Sequence, residues 1–184
     1  MPLKNSKNKR IFCVWVNGKG PAKISQVLKK KGESVEILGV FIGQGDEKRN
    51  LNVEVQHAAD NTKSRVIVRG ILSDKANIDF RGNVKIDKGA RGSDAHLEAK
   101  AILLSEQARG RLEPYLEIDE NDVRATHATY AGPLDENEIF YVRSRGLSQS
   151  EAQKLLVEGF LKIVVKNLSP KEQRLVNLQL ARLR

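Results

Sequence analysis

Apolar residues two positions apart recur between residues 51 and 118 and predict a series of short β-strands. Side chains two apart point to the same face of a strand, so each pair marks the inward side of one strand. These pairs are Val53 and Val55, Val66 and Val68, Ile78 and Phe80, Val84 and Ile86, and Leu116 and Ile118. Their spacing of about a dozen residues is typical of sandwiches, barrels and solenoids.

The segments between these pairs are rich in residues that favour turns. They are Asp60-Asn61-Thr62, Ser73-Asp74-Lys75, Arg81-Gly82-Asn83 and Asp87-Lys88-Gly89. The small residues Ala95, Ala99 and Ala101 suit the inside of coils that stack on one another in a β-helix. A β-sandwich is the alternative that fits the same pattern of strands and turns.

The first 50 residues predict strands and one short helix that lead into this core. Residues 11–16 and 35–42 are apolar runs, and the first ends at a turn signal, Asn17-Gly18. Residues 21–31 predict the helix, because apolar residues recur there at three- and four-residue steps. These apolar residues are Ile24, Val27 and Leu28.

After residue 132 the apolar period becomes helical and predicts three helices that close the stack of strands. Each has a capping residue followed three positions later by glutamate. These pairs are Asp135 with Glu138, Ser148 with Glu151, and Ser169 with Glu172. The second helix has one apolar stripe, formed by Ala152, Leu155, Leu156, Gly159, Phe160 and Ile163. The chain thus divides into residues 1–50, a β core at 51–132 and a helical segment at 133–184.

The composition favours a protein without disulfides or membrane spans. Cys13 is the single cysteine of the sequence, which excludes an internal disulfide and fits a reducing compartment, so we expect a cytoplasmic location. The apolar stretch at residues 11–16 is too short to span a bilayer. As a free cysteine in a strand, Cys13 is expected to be an inert core residue.

Positive charge is in excess, with 32 Lys and Arg against 23 Asp and Glu, and the net charge is +9. One basic cluster is Lys29, Lys30 and Lys31, and the other is Lys4, Lys7, Lys9 and Arg10. A basic nucleic-acid-binding module is therefore one alternative function. It is disfavoured because aromatic residues, which stack on bases, make up only 5% of the chain.

The three histidines, His57, His96 and His127, are the candidate metal ligands. They are far apart in sequence, so a metal-dependent enzyme, the second alternative, would need them to converge in the fold. The sequence has no Gly-x-x-x-x-Gly-Lys-Ser/Thr motif, and we do not expect it to bind a nucleotide. We therefore expect no catalysis by this chain alone.

Two segments resemble the SufB/SufD family of iron–sulfur cluster assembly scaffolds. Residues 116–160 read LEIDENDVRATHATYAGPLDENEIFYVRSRGLSQSEAQKLLVEGF, with IFYVRSRGL in place of the family's LFY-x-x-SRGI. Residues 57–82, HAADNTKSRVIVRGILSDKANIDFRG, are similar to the family's His-x-Ala-Pro-Asn-Thr-x-Ser segment and its Arg-Gly-Val-Leu continuation. Together with the stretch that joins them, they cover somewhat more than half of the chain.

The resemblance implies a mainly β fold, a right-handed parallel β-helix with a C-terminal helical segment. It also implies a dimer with another SufB/SufD-type scaffold, identical or different, bound to a SufC-type ABC ATPase that hydrolyses ATP. By matching position, the ATPase contacts would be Phe140, Tyr141, Arg143, Arg145, Ala152, Leu155, Leu156 and Phe160. The alternative for the apolar residues in this set is that they cover the last coil.

His127 matches a histidine that SufD-type members have near the interface between scaffolds, which makes it the candidate ligand for a cluster. Its alternative is a structural role within a strand. The cysteine of SufB-type members falls at Ala99, and the glutamate after their histidine falls at Ala128. Because thiolates are the main cluster ligands, the resemblance implies a transient cluster shared with a partner and none bound by this chain alone.

Overall fold

A computed structural model describes residues 8–16 and 18–183. Nine strands precede three helices in the described part of the chain. The strands are β1 (Asn8–Val16), β2 (Lys23–Leu28), β3 (Ser34–Gly43), β4 (Lys48–His57), β5 (Lys63–Leu72), β6 (Asn77–Ile86), β7 (Ser93–Leu103), β8 (Arg109–Ile118) and β9 (Val123–Gly132). The helices are α1 (Glu136–Arg143), α2 (Gln149–Val165) and α3 (Pro170–Leu180).

The strands form a parallel β-helix, which confirms the predicted fold class and excludes the sandwich. Odd-numbered strands make a five-stranded sheet in the order β1-β3-β5-β7-β9, and even-numbered strands make a four-stranded sheet in the order β2-β4-β6-β8. Neighbours in both sheets pair in parallel, so each coil places one strand in each sheet. The turns stack as well, since Ser73 N donates to Gly43 O at 3.0 Å.

The core lies between the two sheets, where inward side chains of successive coils are stacked in register. Ile37, Val66 and Leu97 form one such row, and all three are fully buried. The small residues Ala95, Ala99 and Ala101 are also fully buried, as predicted. The two sheets extend from Asn8 to Gly132, so the first coils belong to the same β-helix as residues 51–132.

The prediction of a helix at residues 21–31 is wrong, because residues 23–28 form strand β2. Ile24 and Leu28 are four apart, a spacing that fits one face of a helix and equally one face of a strand. β2 pairs with β4 from Lys23 opposite Asn52 to Leu28 opposite His57. The hydrogen bonds and core contacts of this pairing outweigh the weak local preference of these residues for a helix.

The predicted turn at Arg81-Gly82-Asn83 is also wrong, because β6 continues through it. Gly82 is needed for close packing: a Cβ built there would lie 2.5 Å from Leu97 Cδ1. The glycine therefore makes room for a side chain of the opposite sheet.

The three helices begin where their capping residues predict. The Asp135 side chain accepts from Asn137 N, and complete capping boxes join Ser148 to Glu151 and Ser169 to Glu172. α2 and α3 do not lie over the last coil but pack on the outer face of the five-stranded sheet, against β1, β3 and β5. The second halves of β3 and β5 are consequently buried on both faces, and their outer side chains belong to a second apolar cluster.

The stripe of α2 that faces the sheet differs from the predicted one. The buried residues of α2 are Ala152, Val157, Leu161 and Val164. Of the predicted stripe, only Ala152 is buried, and Leu155 and Gly159 are exposed. α2 has apolar residues around more than half of its circumference, so its sequence alone did not fix which side faces the sheet.

Three residues of the sequence patterns, Lys4, Lys7 and Asn17, lie outside the described residues. The basic cluster Lys29–Lys31 is exposed in the turn between β2 and β3. The amides of Lys29 and Lys30 donate to Glu33 Oε2 at 2.7 and 2.9 Å. This cluster is therefore held in a hydrogen-bonded turn at the first-coil end of the molecule.

Candidate interaction site at the last coil and C-terminal helices

β8 and β9 form the last coil, and each is the outermost strand of its sheet among the described residues. Their inward side chains continue the rows of the core, but no further coil covers them. Leu112, Leu116, Val123 and Ala125 are only partly buried, and Ile118 is exposed. The last coil therefore presents uncovered core together with two open strand edges, a surface suited to a partner.

His127 lies at this open end. It is in register with Leu97 of β7, so it occupies an inward row, and its side chain is exposed. Thr129, two residues on, is in register with Ala99. Ala99, the position that the resemblance matches to a cysteine, is thus one coil below the surface and fully buried.

The three histidines do not converge. His57 is fully buried inside the coil, where its Nδ1 and Nε2 lie 2.8 Å from Thr62 Oγ1 and Ser64 Oγ. His96 faces outward on β7, with Nδ1 2.9 Å from Thr126 Oγ1, whereas His127 is in an inward row. Within residues 8–16 and 18–183, no group of three or more His, Cys, Asp or Glu side chains is placed to hold a metal ion.

Cys13 is remote from the open end. It is buried in β1, and burial raises the pKa of its thiol to about 12. Four strand spacings of about 4.8 Å, roughly 19 Å in all, separate β1 from β9 in the five-stranded sheet. Cys13 is therefore a protonated core residue and supplies no thiolate at the coil end.

α1 places two large aromatic side chains in solvent beside the last coil. Phe140 is 73% exposed and Tyr141 is 59% exposed. Arg145 lies 5.0 Å from the centre of the Tyr141 ring and donates to Tyr141 Oη at 2.8 Å. Next to Phe140 is a groove of about 430 Å³ whose lining includes Leu103, Leu134, Ile139, Phe140, Arg143 and Gln153.

The candidate contacts on α2 have different environments. Ala152 is buried against the sheet, and Leu155 is 51% exposed. Leu156 and Phe160 are half-buried. Phe140, Tyr141 and Leu155 are therefore the apolar candidates that a partner could cover, and they do not cover the last coil themselves.

An ion pair within the five-stranded sheet, and the contact of its arginine with α2, were not predicted from the sequence. Arg69 of β5 is 6% exposed and forms a hydrogen-bonded ion pair with Glu98, and its guanidinium lies 5.3 Å from the centre of the Phe160 ring. Burial raises the pKa of Glu98, but Arg69, Lys100 and His96 outweigh it, and the pKa is lowered. The sequence did contain a signal for a buried, paired charge, because Arg69 interrupts the apolar run of β5.

A second missed feature is a chain of buried hydroxyl groups around His57. Thr62 Oγ1, which contacts His57, lies 2.9 Å from Ser93 Oγ and donates to Ala59 O at 3.0 Å. His57 thereby connects the turn after β4 to the starts of β5 and β7. His57, Ala59 and Thr62 lie in one sequence segment, HAADNTKS, but Ser93 lies on β7. These four residues come together only when the coil closes.

The family model described as SUF system FeS cluster assembly, SufBD core domain, matches residues 5–160. The iron–sulfur cluster assembly protein SufD of Bacillus subtilis is 36% identical over 129 residues, 70% of this chain and 30% of that protein. An iron–sulfur cluster assembly SufBD family protein of Mycobacterium bovis is 30% identical over 176 residues, 90% of this chain and 21% of that protein.

The SufB protein of Bacillus subtilis is also similar, with 24% identity over 175 residues, 89% of this chain and 38% of that protein. The chain thus spans between about a fifth and two fifths of the length of these relatives. No helix in the described part of the chain is long and apolar enough to cross a membrane.

Proposed function

Because the chain belongs to the SufBD family of SUF-system iron–sulfur cluster assembly proteins, we propose that it is a non-catalytic scaffold subunit. In this proposal the chain pairs with another SufB/SufD-type scaffold and binds a SufC-type ABC ATPase, in the cytoplasm. The observation that carries it is the family match over residues 5–160, which includes the open last coil.

The pairing surface in this proposal is the end of the last coil. Partly buried apolar residues such as Leu112 and Leu116 would become core if a second scaffold covered them. Burial of apolar surface contributes about 25 cal/mol per Å², which favours a partner over solvent at this end. His127 would then lie at the interface.

The ATPase surface in this proposal is α1 with the adjoining side of α2. Exposed aromatic side chains and arginines are enriched at the centres of protein interfaces. Phe140 and Tyr141 are such side chains, and Arg143 lines the groove beside Phe140. Arg145 and Leu155 extend the surface, whereas Ala152, Leu156 and Phe160 would support it from the inner side.

The cluster is cargo of the assembled complex rather than a resident group of this chain. Cys13 and the position of Ala99 are both in the core, so thiolate ligands would come from the partner. His127 is the one histidine at the open end, and a neutral imidazole is a suitable ligand for iron. In this proposal His127 completes a site whose thiolates belong to the other scaffold.

The docking surface is tested by co-purification of a tagged SufC-type ATPase with the wild-type chain and with Phe140→Asp. We expect the wild-type chain to be retained and the variant to be lost or strongly reduced, because a carboxylate replaces an interface aromatic. Leu178→Asp is the matched control, since Leu178 is 57% exposed on α3, outside the candidate surface. Equal retention of both variants, or no retention of the wild-type chain, would contradict the proposal.

A further inference from the structure

The apolar surface of α2 allows two ways of laying this helix on the sheet. Val157, Leu161 and Val164 form the side that is buried. Leu156 and Ile163, which are half-buried, form a second apolar side about a third of a turn away. Because hydrophobic burial is non-directional, apolar contacts alone do not fix which of these two sides faces the sheet.

A polar side chain of the sheet distinguishes the two rotations. Arg69 of β5 is 6% exposed, and its guanidinium lies 5.3 Å from the centre of the Phe160 ring of α2. Since side chains end about 5–6 Å from a helix axis, turning α2 by about a third of a turn would move this ring by about 9 Å. A guanidinium attracts an aromatic ring only within about 6 Å. The contact is therefore made in one rotation of α2 and lost in the other.

Arg69 is itself held in place by the sheet. It forms the hydrogen-bonded ion pair with Glu98 of β7, and its Nη1 donates to Val68 O at 3.1 Å. Glu98 Oε1 also lies 3.6 Å from Lys100 Nζ, and Glu98 Oε2 lies 3.9 Å from His96 Nε2. These bonds fix the guanidinium at one place on the outer face of the sheet, so it can serve as a reference point for the helix.

Stability alone does not explain a charge at this position. Burial of an ion pair has a desolvation cost, and apolar residues of similar size often give equal or greater stability in its place. Ile67 and Ile71, on the same outer face of β5, are buried apolar residues, so an apolar side chain would suit the position between them. Some proteins retain buried polar groups because these groups select one packing among several.

Resting on the proposed function, we propose that Arg69 is a positioning residue, which selects through Phe160 the rotation of α2 that keeps the ATPase-docking surface in shape. In this rotation Leu155 faces solvent, and Gln153 lines the groove beside Phe140. In the other rotation Leu155 turns toward the sheet, and Gln153 leaves the groove. Glu98 contributes by holding the guanidinium.

The rotation of α2 is measured with cysteine reporters that are labelled by iodoacetamide under native conditions, with the labelled positions separated by peptide mass spectrometry. Val157→Cys places a thiol on the buried side, and Leu155→Cys places one on the exposed side. Cys13, buried in β1, is the internal standard, because it is labelled only when the fold around it opens. In the otherwise wild-type chain, we expect the Val157→Cys thiol to react at least about a hundredfold more slowly than the Leu155→Cys thiol.

Arg69→Met with Glu98→Gln removes both charges and leaves neither of them buried without its partner. We expect this charge variant to speed the labelling of the Val157→Cys thiol about tenfold or more relative to Cys13, with little change in the urea midpoint. Phe160→Leu, which removes the ring and keeps apolar bulk, should have the same effect. Adding Phe160→Leu to the charge variant should give no further change, because both substitutions break the same contact.

Arg81→Met with Glu113→Gln is the matched control. It removes an ion pair of the same two residue types from the outer face of the other sheet, where Arg81 Nε lies 3.2 Å from Glu113 Oε2. We expect this control to leave the labelling of both reporters unchanged. Unchanged labelling in the charge variant would overturn the inference. So would a rise in Cys13 labelling by the same factor as the reporter, because that result shows a general loss of stability.

Co-purification with the tagged ATPase separates this inference from the proposed function. We expect the charge variant to bind the ATPase about tenfold more weakly than the wild-type chain. Equal binding by the two, with changed labelling, would refute the link between Arg69 and the docking surface. A wild-type chain that fails to bind the ATPase would refute the docking part of the proposed function, whereas the selection of the rotation is decided by the labelling alone.

Discussion

The buried imidazole of His57 predicts a specific loss of stability in acid. His57 is fully buried, and its ring nitrogens contact the hydroxyl groups of Thr62 and Ser64. Burial lowers the pKa of His57 from 6.5 to about 4, against the opposing charge of Asp94. Below pH 6.5 the unfolded chain therefore takes up a proton that the folded chain refuses, and the free energy of unfolding falls until the pH reaches about 4.

The size of this effect follows from the difference in pKa. Each pKa unit corresponds to 1.36 kcal/mol, so the difference between 6.5 in the unfolded chain and about 4 in the folded chain lowers the free energy of unfolding by about 3 kcal/mol between these pH values. Below about pH 4.5 Glu98 adds a further loss, because Arg69 lowers the pKa of its carboxyl in the folded chain despite burial, and the unfolded chain is protonated first. Comparison with a variant that lacks only the His57 imidazole separates the two contributions.

The assay is urea unfolding followed by circular dichroism at several pH values between 7 and 4, for the wild-type chain and His57→Gln. We expect His57→Gln to be less stable at pH 7, because part of the buried hydrogen bonding is lost, and to lose about 3 kcal/mol less than wild type on acidification. His96→Gln, on the outer face, is the matched control and should keep the wild-type loss. Equal losses in wild type and His57→Gln would refute the reasoning.

Further predictions concern packing and charge. Gly70→Ala should lower stability by about 2 kcal/mol, seen as a lower urea midpoint, because its Cβ would lie 1.9 Å from atoms of the Phe41 ring. Leu161→Ala should lower stability by about 3 kcal/mol, since Leu161 is buried between α2 and the sheet, whereas Leu155→Ala should change it by less than about 0.5 kcal/mol. Similar urea midpoints for these two variants would contradict the placement of α2. Titration with duplex DNA and with RNA should show no tight binding; affinity that falls steeply with salt would instead favour a nucleic-acid function.

The local pattern of the sequence predicted the elements whose partners are close along the chain. The capping residues Ser148 and Ser169 identify where α2 and α3 begin, because a cap involves only one turn of helix. Apolar residues two apart identified β4 and β6, since one face of each is buried. The small inward residue Ala99 correctly indicated stacked coils.

The features that depend on distant contacts could not be predicted in the same way. β2 is a strand because β4 lies beside it, and Ile24 and Leu28 fit either structure. The buried side of α2 is set by the outer face of β3 and β5, which the sequence of α2 does not encode. Likewise, the resemblance pointed to His127, but only the coil geometry shows that His127 lies at an open end. Ala99 lies one coil below that end, opposite Thr129.

The central claim is that this chain is a scaffold for cluster assembly with partners. The most direct measurement is anaerobic co-expression with a SufC-type ATPase and a SufB-type scaffold, followed by native mass together with bound iron and sulfide. The account predicts a complex that contains this chain and the ATPase, with iron and sulfide retained when a scaffold with thiolate ligands is present. Purification of this chain without the ATPase, and with no iron or sulfide in any complex that contains it, would contradict the account.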